Sequence, residues 1–105
     1  MAAKPGEVWL ADLGLAAKTR PVVILSREDA DAPRVLVTYV PLTTQGRGSR
    51  YEVELGQVRF LRELSFANVQ GIGSIPAIRL QRKIGMVSPE TLAKIKQAIR
   101  FALDL

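Results

Sequence analysis

Residues 20–42, RPVVILSREDADAPRVLVTYVPL, hold two apolar runs on either side of a polar segment that contains chain breakers. The first run, Val22-Val23-Ile24-Leu25, is continuous and mostly β-branched, long enough for a strand and too short for a typical helix. The second, Val35 to Leu42, is again strand-like, but Pro41 cannot donate a ladder hydrogen bond, so the strand is expected to end or bulge there. Between them Glu28, Asp29, Asp31 and Pro33 lie in a connection, Arg27 to Pro33, that reads as an exposed hairpin loop.

Working outward toward the N-terminus, Pro5-Gly6 is a turn signal ahead of Glu7 to Leu13, a short β-prone run in which Trp9 is a core candidate. Only Gly14 to Thr19 joins it to the second strand. Toward the C-terminus, Thr43 to Arg50 reads as a loop rich in threonine, glycine and arginine. Tyr51 to Leu55 then alternates as a half-buried strand does, which places Glu52 and Glu54 on its solvent side. One further strand is expected around Phe66 to Gln70, and a last one over Ile78 to Val87.

The chain then changes period. Ser88-Pro89-Glu90 supplies an N-cap hydroxyl, a proline at the first helical position and an acid in the first turn. Leu92, Ile95, Ile99, Ala102 and Leu103 follow on one helical face, with Lys94, Gln97 and Arg100 elsewhere. Val87 and Leu92 stand at the two ends of a hydrophobic staple. The expected fold is mainly β: a small SH3-like barrel of five to seven short strands with a C-terminal α-helix, forming a single domain over residues 1–105.

Composition bounds the chemistry. Of the 105 residues 48% are hydrophobic and 24% charged, the balance of a folded chain. Lysine and arginine total 15 against 10 acids, a formal charge of +5 that suits a phosphate-bearing partner. Ten of those 15 are arginine, whose planar fork of donors matches phosphate. There is no cysteine and no histidine, which removes disulfides, the usual zinc sites and histidine-based acid-base pairs. No cofactor and no metal are expected. No apolar run approaches the roughly 18 residues needed to cross a bilayer, and no signal-peptide core of about 7 to 15 apolar residues opens the chain. A cytoplasmic location without membrane contact is expected.

Five landmarks in order resemble the MazF/PemK toxins of type II toxin-antitoxin systems: Gly6-Glu7-Val8-Trp9, Arg20-Pro21 before the Val22 to Leu25 run, Pro41 to Gln45 (PLTTQ), Tyr51 to Leu55, and Pro89-Glu90. The resemblance covers nearly the whole chain. It implies a sequence-specific, metal-independent endoribonuclease that cuts single-stranded RNA or mRNA through 2′-hydroxyl attack, works as a homodimer and is silenced by a cognate antitoxin. It further implies catalytic roles for Arg20 and Thr43.

A guanidinium is permanently cationic and presents two parallel donors, so Arg20 suits phosphate stabilisation rather than proton transfer. The Thr43 hydroxyl adds a donor on another side of the same phosphate. Thr44, Gln45, Arg47, Arg50, Asn68 and Gln70 are candidate RNA contacts, with Arg47 and Arg50 on a mobile basic arm. The first connection lacks the glutamate of better-known members, and Asn68 and Val69 stand where some carry an aspartate. Two other readings stay open: a CcdB-like topoisomerase inhibitor that cuts nothing, and a catalytically weakened RNA-binding module.

Overall fold

The computed structural model describes residues 2–14, 16 and 18–105. The chain runs β1 (Glu7–Asp12), β2 (Thr19–Ile24), β3 (Leu36–Thr43), β4 (Glu52–Glu54), β5 (Phe66–Asn68), β6 (Gly73–Pro76), β7 (Leu80–Met86) and α1 (Pro89–Leu103). Every strand pairing is antiparallel, and the order across the sheet is β4-β5-β3-β2-β1-β7, with β6 also on β3. The mainly β fold with one C-terminal helix is therefore as the sequence implied.

The β1–β2 connection is a tight one. Asp12 Oδ1 accepts from the Gly14 N–H at 2.8 Å, and Leu13 and Lys18 close the turn through backbone bonds. Leu15 and Ala17 of this connection lie outside the described residues.

The unbroken apolar run in β2 reflects burial on both faces of the sheet. Val23 joins Val8, Val40, Leu42, Val53 and Ala67 in a core shared with Ile95 and Ala98 of α1. Val22 and Ile24 point the other way, into a second core with Trp9, Ala11, Val37, Ile75 and Leu80. Val53 of β4 and Ile84 of β7, from the two ends of the strand order, both pack into the first core. Phe60, from the segment between β4 and β5, lies over Gly85 of β7 so closely that an added Cβ would collide with the ring.

β3 does not end at Pro41. It continues to Thr43, and Pro41 pairs with Val22. The backbone explains why. The Thr38 carbonyl faces β2, accepting from Leu25, so odd-numbered residues of β3 turn their polar groups toward the opposite edge. On that edge β6 pairs residues 36–39 and β5 pairs residues 42–43. Pro41 sits at this change of partner, where no donor is required, and Gly71 packs so closely on its ring that a Cβ would fall 2.6 Å away. Between Phe66 and Leu80 the sequence reading also needs correction. β5 stops at Asn68 and gives way to a 3-10 turn over Val69–Gly71, β6 follows, and a second 3-10 turn over Ala77–Arg79 precedes β7. Gly71 and Gly73 hide the alternation that would have marked β6.

At the start of α1 the Ser88 hydroxyl accepts from the Thr91 N–H at 3.1 Å, as a cap should. Val87 and Leu92 close over Gly6, whose φ of +88° places it in the left-handed region open to glycine. Ile95 is buried and Leu92, Ile99 and Ala102 pack against the first core, but Leu103 is half exposed and Ala98 takes its place. The helix rests on β4 and on the 3-10 turn at 69–71, and no helix among the described residues is long and apolar enough to cross a membrane.

Glu7 is an acid inside this framework. Its Oε1 accepts from the Trp9 indole N–H at 3.0 Å and from the Lys4 backbone N–H at 2.9 Å, while Oε2 lies 3.0 Å from Lys83 Nζ. Burial pushes this carboxyl up, but those three donors outweigh it and hold the group below the ordinary carboxylate value. A depressed value means stability that is fully present above the unfolded-state value and is lost as pH falls through the folded one. Glu7→Ala, which leaves the indole N–H without its partner, is expected to lower unfolding free energy by about 1 to 3 kcal/mol at neutral pH. The gap between the variant and the parent should narrow toward acid pH in urea titrations. An unchanged gap down to acid pH would remove the ionised carboxylate from the account.

Candidate active site

Arg20 lies near the start of β2 and Thr43 ends β3, and the register brings them together. Val22 faces Pro41 and Val23 faces Val40. Continued two residues, this register sets Arg20 opposite Thr43. Both side chains line a cavity of about 410 Å³ together with Pro21, Leu42, Thr44, Gln45 and Ser65. Arg20 is exposed and Thr43 half-buried, so a ligand can reach both.

The Thr43 hydroxyl oxygen accepts from the Gln45 N–H at 3.1 Å. That bond fixes the hydroxyl at the mouth of the cavity and, because it uses an oxygen lone pair, leaves the O–H proton to be donated. The turn-capping role that threonine commonly plays is thus present here and compatible with a second role. Ser65 was not singled out in the sequence. It is buried and donates to the Glu63 carbonyl at 3.0 Å, forming part of the cavity wall. Nothing in its local sequence, Glu63-Leu64-Ser65-Phe66, distinguishes it from a loop serine.

Four of the eight residues proposed from sequence, Arg20, Thr43, Thr44 and Gln45, line this cavity; Arg47, Arg50, Asn68 and Gln70 do not. The Arg50 guanidinium lies 3.7 Å over the Phe101 ring of α1, which also meets Tyr51 at 5.2 Å between ring centroids. Asn68 caps the 3-10 turn, its Oδ1 accepting from the Gln70 N–H at 3.2 Å, and Gln70 is exposed on that turn.

The expected mobile arm is instead tied down. Glu52 Oε1 accepts from the Arg47 N–H at 2.9 Å, the Ser49 N–H at 3.1 Å and the Ser49 hydroxyl at 3.3 Å. Glu52 is accordingly half-buried rather than a plain solvent-side residue. The backbone donors of Ser49 and Arg47 hold its carboxyl below the usual value. A larger depression of about 640 Å³ lies along residues 54–64, but its Arg59 and Arg62 are offset by Glu54 and Glu63. The smaller cavity is lined by the Arg20 guanidinium and the Thr43 hydroxyl.

A short-stranded antiparallel sheet with a terminal helix, carrying a cavity lined by an arginine and a threonine from neighbouring strands, defines a small β-scaffold protein. Comparison with known proteins then fixes the lineage. The chain belongs to the PemK-like, MazF-like toxins of type II toxin-antitoxin systems, whose family pattern matches residues 4–103.

Among its relatives, Endoribonuclease MazF3 of Mycobacterium tuberculosis is 35% identical over 88 residues, 84% of this chain and 85% of the relative. Endoribonuclease MazF9 of the same species is 32% identical across 95% of each chain. Among solved structures, the Mycobacterium tuberculosis toxin MazF-mt6 superposes with a TM-score of 0.83 at 33% identity, covering 94% of this chain and 97% of that one. An endoribonuclease in complex with its cognate antitoxin, from a mycobacterial species, superposes at 0.85 with 30% identity over 99% and 97%.

Proposed function

We propose that this chain is a toxin that cleaves single-stranded RNA without a metal, acts as a homodimer in the cytoplasm and is neutralised by a cognate antitoxin. The observation that carries the reading is the pairing of Arg20 and Thr43 in one cavity. The relatives named endoribonucleases support it over a topoisomerase-inhibitor reading, and the relative solved with its cognate antitoxin supports the partner.

In such a reaction the ribose 2′-oxygen forms a bond to the adjacent phosphorus while the bond from phosphorus to the 5′-oxygen breaks. The 2′-hydroxyl gives up its proton and the departing 5′-oxygen gains one. Negative charge builds on the non-bridging oxygens between these events. The Arg20 fork neutralises that charge and the Thr43 O–H donates to it, from the ends of two neighbouring strands that line one cavity. The work of the site is electrostatic, and the aliphatic walls from Pro21 and Leu42 strengthen it by displacing water.

Incubation of the purified protein with a defined single-stranded RNA in EDTA tests the proposal. Discrete fragments ending in 2′,3′-cyclic phosphate are expected, and RNA left intact at enzyme excess would overturn it. Thr43→Val keeps the shape but removes the donor, and cleavage should fall about 10²- to 10³-fold with the fold unchanged by circular dichroism. Thr43→Ser should retain most activity, since it keeps both the acceptor for Gln45 and the O–H. Equal activity in the valine variant would remove Thr43 from the reaction.

A further inference from the structure

The loop that leaves the proposed site at Thr43 is shaped at several points along its length. At its start, Thr43 accepts from the Gln45 N–H. Next, Gly46 packs flat on the Phe66 ring, where an added Cβ would fall 2.7 Å from ring carbons. Then the Arg47 N–H, the Ser49 N–H and the Ser49 hydroxyl converge on one oxygen of Glu52, and the Ser49 oxygen in turn accepts from the Tyr51 N–H at 3.2 Å. At its end, Arg50 is stacked on Phe101.

Glu52 is itself held in place. It sits in β4 opposite Asn68 of β5, and its own N–H donates to the Ser49 carbonyl at 3.3 Å. The carboxylate therefore stands on the rigid sheet, and the loop is folded around it. Seven residues with two glycines, 44–50, would otherwise sample many shapes, and ordering them on binding would cost affinity.

We infer that Glu52 is a positioning residue for RNA binding: its carboxylate pre-shapes the Thr44–Arg50 loop so that Arg47 meets the substrate backbone beside the Arg20–Thr43 cavity. This rests on the proposed nuclease function. It assigns Glu52 no part in bond making or breaking. Losing it releases the loop, which weakens substrate capture and leaves the reacting groups on β2 and β3 where they were. The signature is a change in KM without a matching change in kcat.

The test uses a short single-stranded RNA that the parent enzyme cleaves, with Glu52→Ala, Glu52→Gln, Arg47→Ala and the Glu52→Ala/Arg47→Ala double variant. KM should rise about tenfold in Glu52→Ala while kcat stays within about twofold, and the double variant should be little worse than Arg47→Ala alone, because the two residues act as one unit. Glu52→Gln, which keeps one acceptor oxygen, should fall between parent and alanine, and it provides the reading should the alanine variant fold poorly. Plots of log KM against log salt should lose about 0.7 in slope in both Glu52→Ala and Arg47→Ala, the share of one phosphate contact on a single strand.

An unchanged KM in Glu52→Ala and Glu52→Gln, or losses that multiply in the double variant, would overturn this inference while leaving the nuclease assignment standing. A loss confined to kcat would also overturn it. A parent protein that cuts no RNA would instead overturn the function on which it rests.

Discussion

Replacing Arg20 with alanine is expected to lower RNA cleavage by about 10³-fold or more, the largest effect on activity of any single change in the site. The magnitude follows from what is removed. A preorganised neutral donor contributes about 10²- to 10³-fold, and Arg20 would add a full charge and a second parallel donor to such a contact. The thermal midpoint of the variant, measured beside the parent, separates loss of the site from loss of the fold. Arg20→Lys separates charge from geometry: it should recover part of the rate and not all of it, because an ammonium cannot present two parallel donors to one phosphate. Single-turnover cleavage of a defined RNA measures this directly. A fully active Arg20→Ala protein would withdraw the site assignment, whatever the Thr43 variants do.

The largest effect on stability is expected from truncation after Val87, which removes α1. Ile95 is wholly buried, and Ala98, Leu92 and Ile99 pack with it against Val53, Leu55 and Val69. Burial of Ile95 alone contributes about 1.5 to 3 kcal/mol and the partly buried Leu92 and Ile99 add to it, a large share of a small domain's net stability of about 5 to 15 kcal/mol. The truncated chain should therefore lack a cooperative unfolding transition by near-ultraviolet circular dichroism and calorimetry. Ile95→Ala is the graded form of the same experiment, with an expected cost of about 2 to 5 kcal/mol. A truncated chain that melts cooperatively near the parent temperature would show the sheet to be self-sufficient.

Particular residues mark where sequence reading succeeds and where it stops. The α1 boundary was legible because Ser88, Pro89 and Thr91 settle their hydrogen bonds within one turn, so a local pattern carries all the information. β2 was legible because residues buried on both faces leave an unbroken apolar run. β6 was not, since Gly73-Ser74-Ile75-Pro76 has one buried side chain and exists as a strand through pairing with β3, some 35 to 40 residues earlier in the chain. Pro41 misled for a related reason. Its missing donor ends a strand only if a partner waits for that donor, and here the neighbours on that edge change at this point.

The loop after Thr43 gives the same lesson at the site. Its glycines and arginines read as a mobile arm, and Glu52 read as one wet residue of an alternating strand. Neither reading had access to the convergence of three donors on a single carboxylate oxygen. Arg50, read as part of that arm, instead lies over the Phe101 ring of the terminal helix.

By itself, then, the sequence determined the mainly β architecture with its capped terminal helix, because periodicity and capping are local properties written along the chain, while the lineage and the choice of Arg20 and Thr43 came from the resemblance of its ordered landmarks to one family. Tertiary structure alone decided that Arg20 and Thr43 share a cavity with a buried serine, that β3 runs through a proline, and that a strand glutamate holds the neighbouring loop. Those outcomes depend on register and on contacts between segments distant in sequence, where the cost of an unpaired donor or an exposed apolar face is settled by whichever partner the fold brings near.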